Sequence, residues 1–161
     1  MRPHHKLEAW NKSLELVTDI YRTTEGFPKE ERYGLTSQVR RAAVSIPANI
    51  AEGAARFSST EFTRFLSNAQ GSASELETEL LIAHRLGYLD EASFSKLINQ
   101  LERIGRLITG LSKHVGGTIA HQARALITDV LDHLPFTINH LPIKQKKRAS
   151  RWRALFVYRW L

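Results

Sequence analysis

The chain has 161 residues, 42% hydrophobic and 24% charged, a composition that fits one folded domain with a real core plus an appendage. It contains no cysteine, which excludes disulfides, thiolate zinc sites and cysteine nucleophiles and is compatible with a reducing cytoplasm. The net charge of +7 is unevenly placed: residues 1–115 carry 15 Lys/Arg against 14 Asp/Glu, while residues 116–161 carry 8 against 2.

The N-terminus, Met1 to Lys6, leads into an amphipathic pattern with no apolar h-region, so no signal peptide is expected. No apolar run approaches the ~20 residues needed to span a bilayer. The expectation is a cytoplasmic protein with no integral membrane association. The spacing predicts a first helix over 6–24, with Leu7, Trp10, Leu14, Val17 and Tyr21 as its seam, as in a heptad. Gly26 and Pro28 end it, Gly26 suiting the C′ position. A second helix is expected from residue 29 or 30 to 56, with Glu30 and Glu31 at its positive end. Its apolar track is Leu35, Val39, Ala42, Ala43, Ile46 and Ile50. Pro47 interrupts that track at a cost of roughly 3 kcal/mol, so a bend is expected there. The small residues Ala42, Ala43, Ser45, Ala48, Ala51 and Gly53 leave room for another helix. Asn49 falls on the seam, where a polar residue fixes register or partner choice.

Ser58 followed by Glu61 is a capping-box pattern that starts a third helix. Its seam is Phe62, Leu66, Ala69, Ala73, Leu76, Leu80, Ala83 and Gly87. Asp90 suits the N-cap of a fourth, with Phe94, Leu97, Leu101, Ile104, Ile108, Leu111 and Val115 as its seam. Four such rods with short connections predict an all-α, up-down-up-down four-helix bundle over 1–115. Exposed apolar flanks such as Phe65 agree with further burial in a homo-oligomer.

Gly116-Gly117 breaks the pattern, and 118–134 reads as a weakly amphipathic fifth helix. Pro135 and Pro142 bound an irregular segment. Lys144, Lys146, Lys147, Arg148, Arg151 and Arg153 follow, with Trp152, Phe156, Tyr158 and Trp160 interleaved and beyond. Residues 116–161 are therefore expected to form a basic, aromatic C-terminal extension. Such a segment tracks phosphates and stacks rings on unpaired bases. The same pattern can lie on an anionic membrane, or be an incidental extension.

Bundles often carry di-metal sites, which need Glu-x-x-His pairs on facing helices. None of the seven histidines has a Glu three residues before it, and there is no His-x-x-x-His pair. Glu75 and Glu79 share a helix face outside the apolar seam and read as solvated or intersubunit carboxylates. His84 and His114 lie near helix ends, where a structural role at the negative end of the dipole is expected. Gly-x-Gly-x-x-Gly, P-loop and Gly-x-Ser-x-Gly patterns are missing. No catalytic residue, metal ligand or cofactor site emerges, and a non-enzymatic protein is expected. Nucleic-acid binding has two candidate surfaces. On helix two, Arg40, Arg41 and Arg56 face a single acid, Glu52, and arginine's planar fork suits phosphate. Arg41, Ser45, Asn49 and Glu52 equally form one stripe that can bond across an interface. The tail cations Lys144 to Arg153 form the second surface.

The run Gln38-Val39-Arg40-Arg41-Ala42-Ala43-Val44-Ser45-Ile46-Pro47-Ala48-Asn49-Ile50-Ala51-Glu52-Gly53 resembles the signature of small bacterial four-helix-bundle proteins encoded in intervening sequences of 23S ribosomal RNA genes. Their relatives include the accessory variability proteins of diversity-generating retroelements. Leu7-Glu8-Ala9-Trp10, the stretch Phe27 to Thr36, and Gly71 to Thr78 extend the resemblance, which runs from about Leu7 to Val115 and not beyond. The resemblance implies a bundle assembling into a homopentamer. In the retroelement branch it implies a basic partner of RNA and reverse transcriptase. The expected function is electrostatic binding of RNA or DNA. The alternative is an accessory scaffold docking a protein such as a reverse transcriptase.

Overall fold

The computed structural model describes residues 2–133, with side chains at all of these except 118–123 and 126–133. A 3-10 turn at Pro3–Lys6 precedes α1 (Glu8–Thr23), α2 (Leu35–Ala54), α3 (Ser59–Arg85) and α4 (Glu91–His133). Two further 3-10 segments, Thr24–Gly26 and Lys29–Tyr33, join α1 to α2. The chain divides after His121 into two units. All packing described below belongs to the first; of the second, Gln122–His133 is described, and it is helical.

Local chemistry sets the helix ends. The Glu61 amide donates to Ser58 Oγ at 3.4 Å, satisfying one orphan donor of α3. The Ser93 amide donates to Asp90 Oδ1 at 2.7 Å at the start of α4. That backbone bond holds the Asp90 carboxyl below its ordinary range. At the end of α3, Tyr88 N donates to the Ala83 carbonyl and Gly87 N to that of His84, both at 2.9 Å. This is a Schellman closure. It needs Gly87, whose φ is +77°, because a side chain disfavours that region.

The four helices pack in order around one core, each antiparallel to the next. Leu16 and Ile20 of α1, Val39, Ile46 and Ile50 of α2, Leu66, Leu76 and Leu80 of α3, and Leu97, Ile104 and Ile108 of α4 are all buried. Polar ties fasten the edges. Asp19 Oδ2 accepts from Lys96 Nζ at 2.8 Å and from Gln100 Nε2 at 3.0 Å, joining α1 to α4. Ser72 Oγ donates to Ser45 Oγ at 2.9 Å, joining α3 to α2. The His84 ring stacks on Phe94 at 4.5 Å and its Nδ1 lies 3.1 Å from the Leu89 carbonyl. His84 thus closes the α3–α4 turn through its ring and Nδ1.

Several expectations are corrected. The second helix begins at Leu35, because Lys29–Tyr33 winds as 3-10 and Gly34 leaves helical space at φ −96°, ψ −122°. The α1 core stripe is Ala9, Ser13, Leu16 and Ile20, one residue round from the predicted seam, leaving Leu14 and Tyr21 exposed. Both stripes have helical spacing. The small Ala9 and Ser13 permit closer approach, and Ser13 Oγ is satisfied by the Ala9 carbonyl at 2.6 Å. Gly87 lies beyond the third helix, not on its seam. Phe65 is buried, 8% exposed, under Arg56 and Arg64, whose guanidinium carbons sit 5.2 and 5.7 Å from its ring centre. Gly116-Gly117 lies inside α4, so 118–133 continues that helix. Glycine costs a helix about 1 kcal/mol against alanine but keeps its N–H donor, so it weakens without interrupting.

Candidate nucleic-acid interface

The turn between α1 and α2 builds the site. Glu31 Oε2 accepts from the Leu35 amide at 2.9 Å, capping the first turn of α2. A Cβ on Gly34 would fall 2.6 Å from that same oxygen, so any larger residue here displaces the Glu31 carboxylate from its cap. Tyr88 Oη donates to Glu31 Oε1 at 3.4 Å, pinning the turn to the α3–α4 corner. Residues Arg32 and Tyr33 are held outward by this arrangement, Tyr33 being 89% exposed.

Between this turn and the neighbouring faces of α1 and α2 lies an open cleft of about 560 Å³. Arg32, Arg40, Arg41, Tyr21 and Tyr33 line it, with Thr36, Ser37, Val44 and Ser45. Arg40 is already engaged. Its Nε donates to Thr24 Oγ1 at 2.8 Å, one terminal nitrogen donates to the Tyr21 carbonyl at 3.4 Å, and its guanidinium stacks 4.6 Å from the Tyr21 ring centre. Arg40 is therefore a clamp between α2 and the end of α1. Arg41 is exposed and makes no hydrogen bond to the described residues. Thr36 is only 6% exposed and its Oγ1 has no partner.

No carboxylate is among the described residues lining the cleft. Elsewhere several cations are neutralised locally: Lys12 by Glu15, Arg103 by Glu8, Arg106 by Glu102. Arg56 pairs with Glu52, one turn before it. It also lies beyond the end of α2, which is itself about 21 Å from Arg40 at 1.5 Å per residue. The structure thus brings Arg40 and Arg41 together and sets Arg56 apart. Lys144, Lys146, Lys147, Arg148, Arg151 and Arg153 lie outside the described residues.

Sequence reasoning missed Arg32, Tyr33, Thr36 and the wall formed by Tyr21. Tyr21 falls on the expected α1 seam, and Arg32-Tyr33 inside the expected second helix. Gly34, directly after them, was the available signal of a turn. Glu79 is a further correction. Far from solvated, it is 5% exposed and its Oε2 has no partner. Burial, reinforced by Glu75 and opposed by Arg41, pushes its carboxyl up to about 7. Asn49, half-buried, donates to the Ser45 carbonyl at 2.9 Å and to Ser45 Oγ at 3.0 Å. The Ser45–Asn49 part of the helix-two stripe is thereby bonded within α2 and, through Ser72, to α3.

Fold and cleft define a four-helix-bundle protein with a basic, tyrosine-walled face. Among the described residues no group of three His, Cys, Asp or Glu side chains could hold a metal ion, and no helix is long and apolar enough to cross a membrane. The model of the 23S rRNA-intervening sequence protein family matches residues 5–110, and the chain belongs to that family. Among solved structures it is similar to a protein with unknown function from the S23 ribosomal protein family of Bacteroides thetaiotaomicron. Identity is 26% and the TM-score 0.59, over 65% of this chain and 98% of that one. No curated protein matches it.

Proposed function

We propose that this protein binds nucleic acid, RNA in the first instance, through electrostatic contact without base-edge readout, as a homo-oligomer and without enzymatic chemistry. The observation that carries the reading is the cleft in which Arg32, Arg40 and Arg41 converge with no lining carboxylate. Arg32 and Arg41, which make no hydrogen bond to the described residues, present bidentate donors to phosphate and release counterions on binding. The tail cations Lys144 to Arg153 supply a second set of phosphate contacts in the same reading. Exposed Leu81, Ile82 and Leu86 support self-association, since exposed apolar side chains gain by burial against another copy.

Filter binding of a structured RNA to the full chain across a salt series tests this. Affinity should fall linearly with log salt, and the slope should shrink by about one per phosphate contact removed. Arg32→Gln with Arg41→Gln should weaken binding and flatten the slope. Absence of RNA affinity at low salt overturns the reading. Loss only when the tail cations are replaced, with the cleft variant unchanged, removes the cleft from it.

A further inference from the structure

We propose that the α1–α2 cleft is a subsite for one unpaired nucleotide of an RNA strand, its base against Tyr33 and its phosphate on Arg41 and Arg32. The inference rests on the nucleic-acid reading above and narrows it to a class of RNA.

Three observations converge on this occupant. The first is the pair of aromatic rings. Tyr33 is almost wholly exposed yet rides on a turn fixed by the Glu31 cap and by Tyr88. Such a ring contributes little to the core and is ready to stack on a base. Tyr21 is half exposed, and Arg40 covers one of its faces, which orders the opposite wall. Stacking on such rings is indifferent to base identity because every base has a π-face.

The second observation is the polar lining. Arg41 has no hydrogen-bond partner among the described residues, and Arg32 has only its own neighbour's ring, 5.8 Å away. Thr36 Oγ1 is buried against the cleft with no partner, an uncompensated polar group of the kind that a ligand or water satisfies. Ser37 adds a second hydroxyl. Phosphate for the arginines and a ribose or base edge for the hydroxyls match one nucleotide in chemistry.

The third is size. About 560 Å³ falls inside the ~300–1,000 Å³ span of small-ligand sites. Bases stacked in an A-form duplex cannot enter it. A duplex can offer the arginines only its backbone, whereas a single-stranded loop can splay a base out.

The test compares the full chain, wild type and variant, on a single-stranded RNA 12-mer and on the same sequence as a blunt duplex. Tyr33→Ala should lower single-strand affinity by about tenfold, the scale of one lost base stack. It should leave duplex affinity within twofold and the salt slope unchanged. Arg41→Gln should weaken both RNAs and flatten the slope. A 2-aminopurine in the single strand should be quenched by wild type and not by Tyr33→Ala. Thermal melts establish that Tyr33→Ala, at an exposed site, folds as wild type does. Equal weakening of both RNAs by Tyr33→Ala, or of neither, overturns the subsite while leaving electrostatic binding standing. Displacement of the strand by micromolar free nucleoside monophosphate also overturns it, reassigning the cleft to a free nucleotide. Failure of either RNA to bind overturns both readings.

Discussion

Arg40 and Arg41 are adjacent in sequence and opposite in role, because a step of 100° around α2 takes one into contact with α1 and the other into solvent. Arg40→Ala removes the Thr24 bond and the Tyr21 stack, and should cost about 1–2 kcal/mol in urea denaturation. Arg41→Ala should change stability at pH 6 by no more than about 0.5 kcal/mol, as at ordinary surface sites. Glu79 is buried, and that burial raises its carboxyl. Its folded pKa, about 7, is above the ordinary glutamate value of 4.5, so the folded state binds the extra proton between those values. Stability should therefore fall as pH rises from about 4.5 to about 7, by roughly 2–3 kcal/mol from this residue. Glu79→Gln should abolish that slope in melts at pH 5, 6, 7 and 8, and should be the more stable protein at pH 8. Arg41→Ala, which removes the opposing charge, should push the upper edge of the window to higher pH. Asp19 behaves in the reverse sense. The Lys96 hydrogen bond holds its carboxyl low, and the stability it contributes is lost only as pH falls below the usual carboxylate range.

At the scale of elements, two glycines make opposite predictions. Gly53 sits where α2 and α3 meet: a Cβ there would lie 2.7 Å from Phe65 Cβ and 2.8 Å from Phe62 Cδ2. Gly53→Ala should lose about 1–3 kcal/mol to overpacking even though alanine favours the helix. Gly116, inside α4, has open space where a Cβ would stand. Gly116→Ala should gain up to about 1 kcal/mol. A lower melting temperature for Gly116→Ala would mean that α4 does not run through this position. Both residues are glycines in helical sequence, yet the prediction differs because one meets another helix and the other meets solvent. α2 also runs through Pro47 without leaving the helix, its buried ring packed where a helix interior would ordinarily lose stability.

Across the whole molecule, the distribution of paired and unpaired charge matters more than the total of +7. Several of the bundle's cations are met by carboxylates on the same or a facing helix, whereas Arg32, Arg40 and Arg41 share the α1–α2 cleft with no carboxylate among its described lining residues. The proposed self-association belongs to this scale as well. Ile82→Glu, on the exposed apolar face of α3, should lower the mass measured by sedimentation equilibrium without lowering the fraction of helix by circular dichroism. An unchanged mass would place the interface elsewhere.

Helix periodicity, the Ser58 and Asp90 caps, and the apolar tracks of α2, α3 and α4 were legible in the chain because they depend on neighbours three or four residues away. The bundle follows from those local signals; the family follows from the 38–53 run and the motifs that bracket it, and from the family model over residues 5–110. The rest depended on contacts between distant segments. The sequence could not choose between two equally spaced stripes on α1, since the choice turns on how closely Ala9 and Ser13 let the facing helices approach. Nor could it show that Glu79 is buried, that Arg56 is neutralised, or that Arg40 clamps Tyr21. The cleft exists only because a turn closed around Gly34 carries Arg32 and Tyr33 to the side of α2 that bears Arg41. Local spacing thus determined the helices, and the packing of one helix against another decided which charges were left over to act.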